Sequence, residues 1–178
     1  LREGEFVYEL VEGESVGFVF PVYFYGIPLA VKEFIQNLSI KNIRKSYVYS
    51  VLTCGGSTGN TGEALGQLLR HKEIKLKGQF AVVMVDNFIP LYSLAKKEVM
   101  QKVLNKAEQE LEEIKEMIFS KIEGDYNTHK GLFPGIVSKV LYAFYKNGKS
   151  TAPFYVENSC VGCGQCEKVC PVGAIAMN

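Results

Sequence analysis

Tyr47-Val48-Tyr49-Ser50-Val51-Leu52-Thr53-Cys54-Gly55-Gly56-Ser57-Thr58-Gly59-Asn60-Thr61-Gly62 decides the reading of the fold. Its first half, with Ser46 before it, is aromatic, β-branched and free of charge. Such a run reads as a strand buried on both faces, the kind found inside parallel sheets. Its second half is glycine and small hydroxyl residues, a loop that opens a helix from Glu63 to about Lys72. Strand, loop and helix in that order form the repeating unit of α/β folds.

The same unit extends outward. Upstream, Ser15-Val16-Gly17-Phe18-Val19-Phe20-Pro21-Val22 reads as a buried strand. A loop over 23–28 follows, and a helix opens at Pro28 with apolar Leu29, Phe34, Ile35 and Leu38. Downstream, Lys77-Gly78 reads as a turn and Gln79-Phe80-Ala81-Val82-Val83-Met84-Val85 as a third buried strand ending at Asp86-Asn87. After Pro90 comes a long helix over about 94–123. Val99, Val103, Leu104, Ala107, Leu111, Ile114, Ile118 and Ile122 recur at helical spacing, and Lys106, Glu110, Glu113 and Glu116 read as its solvated face. The expected fold is α/β, a doubly wound parallel sheet. The segment 124–131 is polar and turn-rich, a further helix is expected over 132–145, and 147–153 reads as a linker. Phe154-Tyr155-Val156 reads as a short strand; residues 1–14 carry one apolar piece, 6–11, without an assignment. His71 and His129 are expected at the surface, and Cys54 as a small buried thiol.

The chain has 178 residues, 47% of them hydrophobic, and a formal charge of +1. That is apolar enough for a real core, and nothing in the charge points to nucleic acid. The uncharged run 15–31 contains Pro21 and Pro28 and is too short and interrupted to span a membrane.

Four of the five cysteines fall in Cys160-Val161-Gly162-Cys163-Gly164-Gln165-Cys166-Glu167-Lys168-Val169-Cys170-Pro171, a C-x2-C-x2-C-x3-C-P run. This spacing suits a 4Fe-4S cluster, with three thiolates two residues apart on a tight loop. A disulfide framework would disperse its cysteines, and a structural zinc site shows two separated ligand pairs. In two-cluster ferredoxins the fourth cysteine of the run ligates the other cluster. No second run lies within 1–178, so Cys170 either closes the local cluster or serves another. The expectation is a fragment. Clustered thiols also point to a reducing, cytoplasmic setting.

In open parallel sheets ligands sit beyond the C-terminal ends of the strands. Two loops fall there, Pro21-Val22-Tyr23-Phe24-Tyr25-Gly26-Ile27-Pro28 and 53–61. One offers aromatic faces, the other exposed backbone amides, and together they suit a flat, electron-accepting ring. The competing reading makes the three aromatics core packing and the glycines a plain turn. Ser57-Thr58-Gly59-Asn60-Thr61 is phosphate-loop-like as well, since it precedes a helix start. A strand and helix already lie upstream of it, which favours a ring-edge loop.

The Pro-x-Tyr-x-x-Gly-x-Pro loop, the Gly55-Gly56 loop, Asp86-Asn87 and the cysteine run behind a linker resemble the flavodoxin–ferredoxin fusion proteins, sometimes called ferrodoxins. The resemblance covers nearly the whole chain. It implies a flavodoxin-like doubly wound parallel sheet over 1–127, a helical linker over 128–152, and the first half of a bacterial ferredoxin-like iron–sulfur domain over 153–178. FMN is the candidate cofactor of the sheet, with one or two 4Fe-4S clusters in the full-length protein. Carried over by residue, Pro21, Tyr23, Tyr25, Gly26, Thr53, Gly55, Gly56 and Asn60 match the flavin loops, and Cys160, Cys163, Cys166 and Cys170 match the first cluster run. The family's first strand, its phosphate loop and its second cysteine run do not lie within 1–178, and truncation at both ends is expected.

The function expected from these features is electron transfer between redox proteins, with no residue singled out as catalytic. Two alternatives stand beside it. One is a flavin-dependent oxidoreductase fed by the cluster, although no G-x-G-x-x-G nucleotide fingerprint is present. The other is a zinc-stabilised module that binds a partner without redox chemistry.

Overall fold

The computed structural model describes residues 6–86, 88, 93–147, 154–171 and 173–177. The chain divides into two compact units, 4–148 and 149–178, the latter with 1–3.

In the larger unit the buried strand Tyr47–Cys54 lies inside a four-stranded sheet. In chain order the strands of this unit are β1 (Phe6–Glu9), β2 (Ser15–Pro21), β3 (Leu38–Lys41), β4 (Tyr47–Cys54), β5 (Gly78–Val83) and β6 (Gly124–Asp125). The helices are α1 (Leu29–Gln36), α2 (Thr61–Arg70), α3 (Lys97–Phe119) and α4 (Pro134–Asn147). The main sheet runs β2-β4-β5-β6 with every pair parallel. Its register sets Ser15 against Tyr47, Tyr49 against Gly78 and Gly78 against Gly124. The protein is therefore a mixed α/β chain built on parallel strands.

No residue of β4 is exposed. Strand side chains alternate between faces, so a strand buried throughout needs cover on both. Val48 and Leu52 join Phe18, Phe20, Ile35, Leu65 and Leu69 in one core, which brings α1 and α2 onto one face. Val51 joins Phe80, Val82, Ala107 and Ile114 in a second, under α3 on the other face.

Several elements depart from the expectation. Leu38 belongs to β3 rather than α1: it pairs with Phe6 in a separate two-stranded parallel sheet, β1-β3. Gly78, expected in a turn, starts β5 and is paired on both sides. Gly124 and Asp125, expected in a turn-rich segment, form β6. The long helix is shorter at both ends. Residues 94–96 are not helical, while Asn87 and Pro90 lie outside the described residues. At the other end Lys121 takes φ 52°, and the Lys121 and Ile122 amides donate back to Ile118 and Met117. A left-handed residue with such back-bonds is a helix stop. The apolar stripe of α3 is only partly used, for Ala107 and Ile114 are buried while Val99, Leu104 and Leu111 are exposed. A helix of 23 residues is about 35 Å long, and the six residues of β5 cover only about 20 Å. The helix is longer than the strand beneath it, and its C-terminal turn still packs, with Met117 and Ile118 against the second core.

In the smaller unit the described residues contain one helix, α5 (Gln165–Val169). Phe154-Tyr155-Val156 forms no strand and is exposed. No strand is present among the described residues of this unit to pair with it. Of the expected linker 147–153, only Asn147 is described, as the last residue of α4.

Candidate functional site

The cysteine run is shaped by its glycines. Gly162 and Gly164 take φ 65° and 71°, left-handed angles that other residues reach only with strain. Gly164 is the N-cap of α5, which carries Cys166 and ends at the Cys170 C-cap. Behind it the Ala174 amide donates to Cys170 Sγ at 3.2 Å. All four thiols are free of disulfides; Cys160, Cys163 and Cys166 are exposed and Cys170 is half-buried. The four lie on one continuous segment, yet among the described residues no three histidine, cysteine or acidic side chains converge as a metal-ligand set. Thiolate sites of this kind are drawn together by the metal they bind, because a preformed site rarely exists without it. The donor set itself fits a 4Fe-4S cluster. It offers four thiols at cluster spacing, none in a disulfide, glycines where the backbone must curl, and an amide already aimed at a ligand sulfur.

The loops 21–28 and 53–61 lie at the C-terminal ends of β2 and β4, which a parallel sheet places along one edge with the end of β5. Pro21 is exposed at the end of β2, level with Thr53 of β4. Tyr23 to Gly26 closes a two-residue turn, each end donating its amide to the other's carbonyl at 3.0 Å. The central residues Phe24 and Tyr25 both take positive φ, 48° and 61°. Such turns normally hold Asn-Gly, so bulky aromatics here are strained. Tyr23 and Phe24 are exposed. Gly55 lies against the Asp86 carboxylate, and Gly56 has open space on its side-chain face.

The helix expected over 132–145 is present as α4, but sequence reasoning missed that it covers this edge. The Asn60 amide donates to Ser138 Oγ of α4 at 2.8 Å, Tyr142 Oη donates to the Ile27 carbonyl at 2.5 Å, and the Leu29 amide donates to Tyr145 Oη at 3.2 Å. Phe24 stacks on Tyr145 with centroids 5.8 Å apart, while Tyr23 meets Tyr145 and Phe24 meets Phe88 edge-on. Gly26 is buried under the Tyr142 ring. Of the candidate residues, then, Asn60, Gly26 and Tyr23 meet α4, while Pro21, Tyr23, Gly55 and Gly56 keep exposed surface.

A second group was also missed. Thr58 is fully buried; its hydroxyl accepts from Asn127 Nδ2 at 2.8 Å, and its amide donates to the His129 carbonyl at 2.8 Å. Ser57 Oγ donates to the Lys130 carbonyl. These bonds fasten the 55–60 loop to the segment after β6. They also correct two expectations. The His129 side chain is 19% exposed rather than on the surface, with Nε2 at 3.6 Å from Glu110, whose side chain is 25% exposed rather than fully solvated. His71 is exposed. Cys54 is buried. Burial pushes its thiol pKa up, a backbone hydrogen bond from Gly56 pulls it down, and Glu110 adds to the rise. A thiol held protonated is a poor nucleophile, in keeping with a packing role.

The Fer4 family, a 4Fe-4S binding domain, matches residues 153–176. No curated protein and no solved structure matches the chain significantly. A 4Fe-4S ferredoxin-type domain thus occupies the C-terminal segment, and iron–sulfur electron transfer is the chemistry it implies. Among the described residues no helix is long and apolar enough to cross a membrane.

Proposed function

We propose that the chain acts as a cytoplasmic electron carrier in which Cys160, Cys163, Cys166 and Cys170 ligate iron–sulfur clusters and the larger unit, flavodoxin-like, holds an FMN-type flavin. The domain boundaries that go with this reading are 1–127, 128–152 and 153–178. The observation that carries it is the match of the 4Fe-4S binding domain to the segment holding all four clustered thiols. A cluster held there would supply one-electron exchange with redox protein partners. The chain's own contribution is to hold sulfur ligands through the turns at Gly162 and Gly164 and to donate the Ala174 amide to Cys170 Sγ. Amide hydrogen bonds to cluster sulfurs tune the reduction potential.

The flavin assignment draws its support from the edge of the sheet. The strained turn Tyr23–Gly26 presents exposed aromatic faces, and Gly55-Gly56 offers backbone beside open space. Those faces would stack on a planar ring, and the glycine amides would meet its polar rim. The Asp86 carboxylate lies beside Gly55.

The test is an elemental and flavin analysis of anaerobically purified protein. Near-equal iron and acid-labile sulfide, lost on Cys163→Ser or Cys166→Ser, is the expected result. Stoichiometric zinc without sulfide refutes the iron–sulfur reading. Replacing Tyr23 and Tyr25 together by alanine is expected to weaken FMN binding or shift its potential. If both stay unchanged, the flavin site lies elsewhere.

A further inference from the structure

The pole opposite the flavin loops has a different chemistry. There the segments just before β4 and β5, residues 41–46 and 71–77, lie side by side and enclose a cavity of about 340 Å³. Its floor includes buried Ile74 and Ser46 with half-buried Ile43; its rim includes Arg44, Lys75 and Lys77. The two segments together bring Lys41, Arg44, Lys45, Lys72, Lys75 and Lys77 against one acid, Glu73. The whole chain carries only +1, so the rest of it is net acidic.

Three of these cations are committed. Arg44 pairs with Glu73 at 3.1 Å, Lys77 with Glu123 at 3.3 Å, and Lys72 Nζ donates to the Leu38 carbonyl at 3.0 Å. The Arg44–Glu73 pair is about four-fifths exposed on both sides. Such pairs contribute little and yield readily to a competing carboxylate. Lys41, Lys45 and Lys75 are exposed and have no ion pair among the described residues.

We propose that this cavity is a docking site for an acidic segment of a partner protein, one with carboxylates flanking an aliphatic side chain. The apolar floor of Ile43 and Ile74 takes the aliphatic group, and the cationic rim takes the carboxylates. A nucleic acid fits less well, since no aromatic ring lines the cavity to stack on a base. A small polyanion fits less well too, because Glu73 stands in the rim and the cations are spread over two segments. Opposed charge across such a surface steers encounter and fixes orientation. The site stands independently of any cofactor, and its test does not require one.

The experiment is fluorescence anisotropy of a labelled peptide of repeating Glu-Glu-Leu with the full chain. Saturable binding that weakens with salt, and that falls roughly tenfold or more in Arg44→Glu/Lys75→Glu, is expected. The control is Lys97→Glu/Lys102→Glu on α3, which makes the same change in net charge outside the cavity. Equal losses in both double variants reduce the effect to net charge and overturn the site, as does the absence of saturable binding. Tighter binding of inorganic tripolyphosphate, or of an oligothymidine of equal charge, overturns the assignment to a protein partner.

Discussion

Gly26→Ala tests how firmly α4 is fastened to the edge of the sheet. A methyl group at position 26 would overlap Tyr142 Cδ2 and lie 2.6 Å from Cε2 and 2.8 Å from Cγ. Carbon atoms rest at about 3.5–4.0 Å, so the ring must retreat by about an ångström or more. Crowding of this kind costs about 1–3 kcal/mol. The bond from Tyr142 Oη to the Ile27 carbonyl, 2.5 Å long, cannot survive that shift. Its loss adds about 1 kcal/mol. The expected destabilisation is about 2–4 kcal/mol, a large part of the roughly 5–15 kcal/mol typical of a domain. Gly26 does not have a left-handed backbone, so alanine brings no conformational strain of its own. The assay is urea unfolding of four proteins, wild type, Gly26→Ala, Tyr142→Ala and the double variant, followed by far-UV circular dichroism. Once the ring is gone the methyl group has nothing to strike, and Gly26→Ala in the Tyr142→Ala background should cost within about 0.5 kcal/mol of zero. An equal cost in both backgrounds refutes the contact.

Three other outcomes follow from buried polar groups. Ser50 Oγ is fully buried and has no hydrogen-bond partner among the described residues, so Ser50→Ala should be neutral or stabilising by about 1 kcal/mol, as read by the urea midpoint. Thr58→Val strands the Asn127 amide that Thr58 Oγ1 accepts and should cost about 1–3 kcal/mol in the same assay, with faster hydrogen exchange in the 55–60 loop. The Tyr47 hydroxyl donates to the Ile122 carbonyl at 2.6 Å, and burial first, then Glu123, Tyr49 and Tyr126, raise its pKa. An acid whose pKa is raised on folding stabilises the fold fully below its unfolded pKa of about 10, and that contribution is lost as pH climbs through the folded value. Stability should therefore fall above pH of about 10, less steeply in Tyr47→Phe; an unchanged slope refutes the attribution.

The parts of the fold legible in the sequence were those with unambiguous composition. β4 is apolar, uncharged and followed by two glycines, and it is buried on both faces. The turn after β2 and the Gly55-Gly56 loop were placed correctly at one edge because parallel strands leave no alternative. β1, β3 and β6 were not legible. β1 and β3 have four residues each and β6 two, too short for a period to show, and Gly124-Asp125 is strand only because Gly78-Gln79 lies beside it. The role of α4 was illegible for another reason. Its more apolar side, Ile136, Val140 and Phe144, is exposed, and the side carrying Ser138, Tyr142 and Tyr145 makes the contacts. Hydrophobic periodicity would have chosen the other face. The cysteine run was legible from spacing alone, whereas the gathering of its thiols is a property of the metal rather than of the local backbone.

The turn Tyr23–Gly26 shows where local preference and tertiary contact oppose each other. Two consecutive aromatic residues in the left-handed region cost about 1–2 kcal/mol each, and Asn-Gly would close the same turn without that cost. The turn holds because its rings are engaged: Phe24 with Tyr145 and Phe88, Tyr23 with Tyr145. Each such pair contributes about 0.5–1.5 kcal/mol, so three of them roughly balance the strain. A balance near zero gives no net stability, and stability alone therefore does not account for aromatics at these positions. What the arrangement does provide is placement. It sets two exposed rings, backed by α4, at the edge where the glycine backbone of the next strand's loop is open. Backbone strain of this kind clusters at binding sites, and the flavin proposal rests on this turn more than on any single glycine.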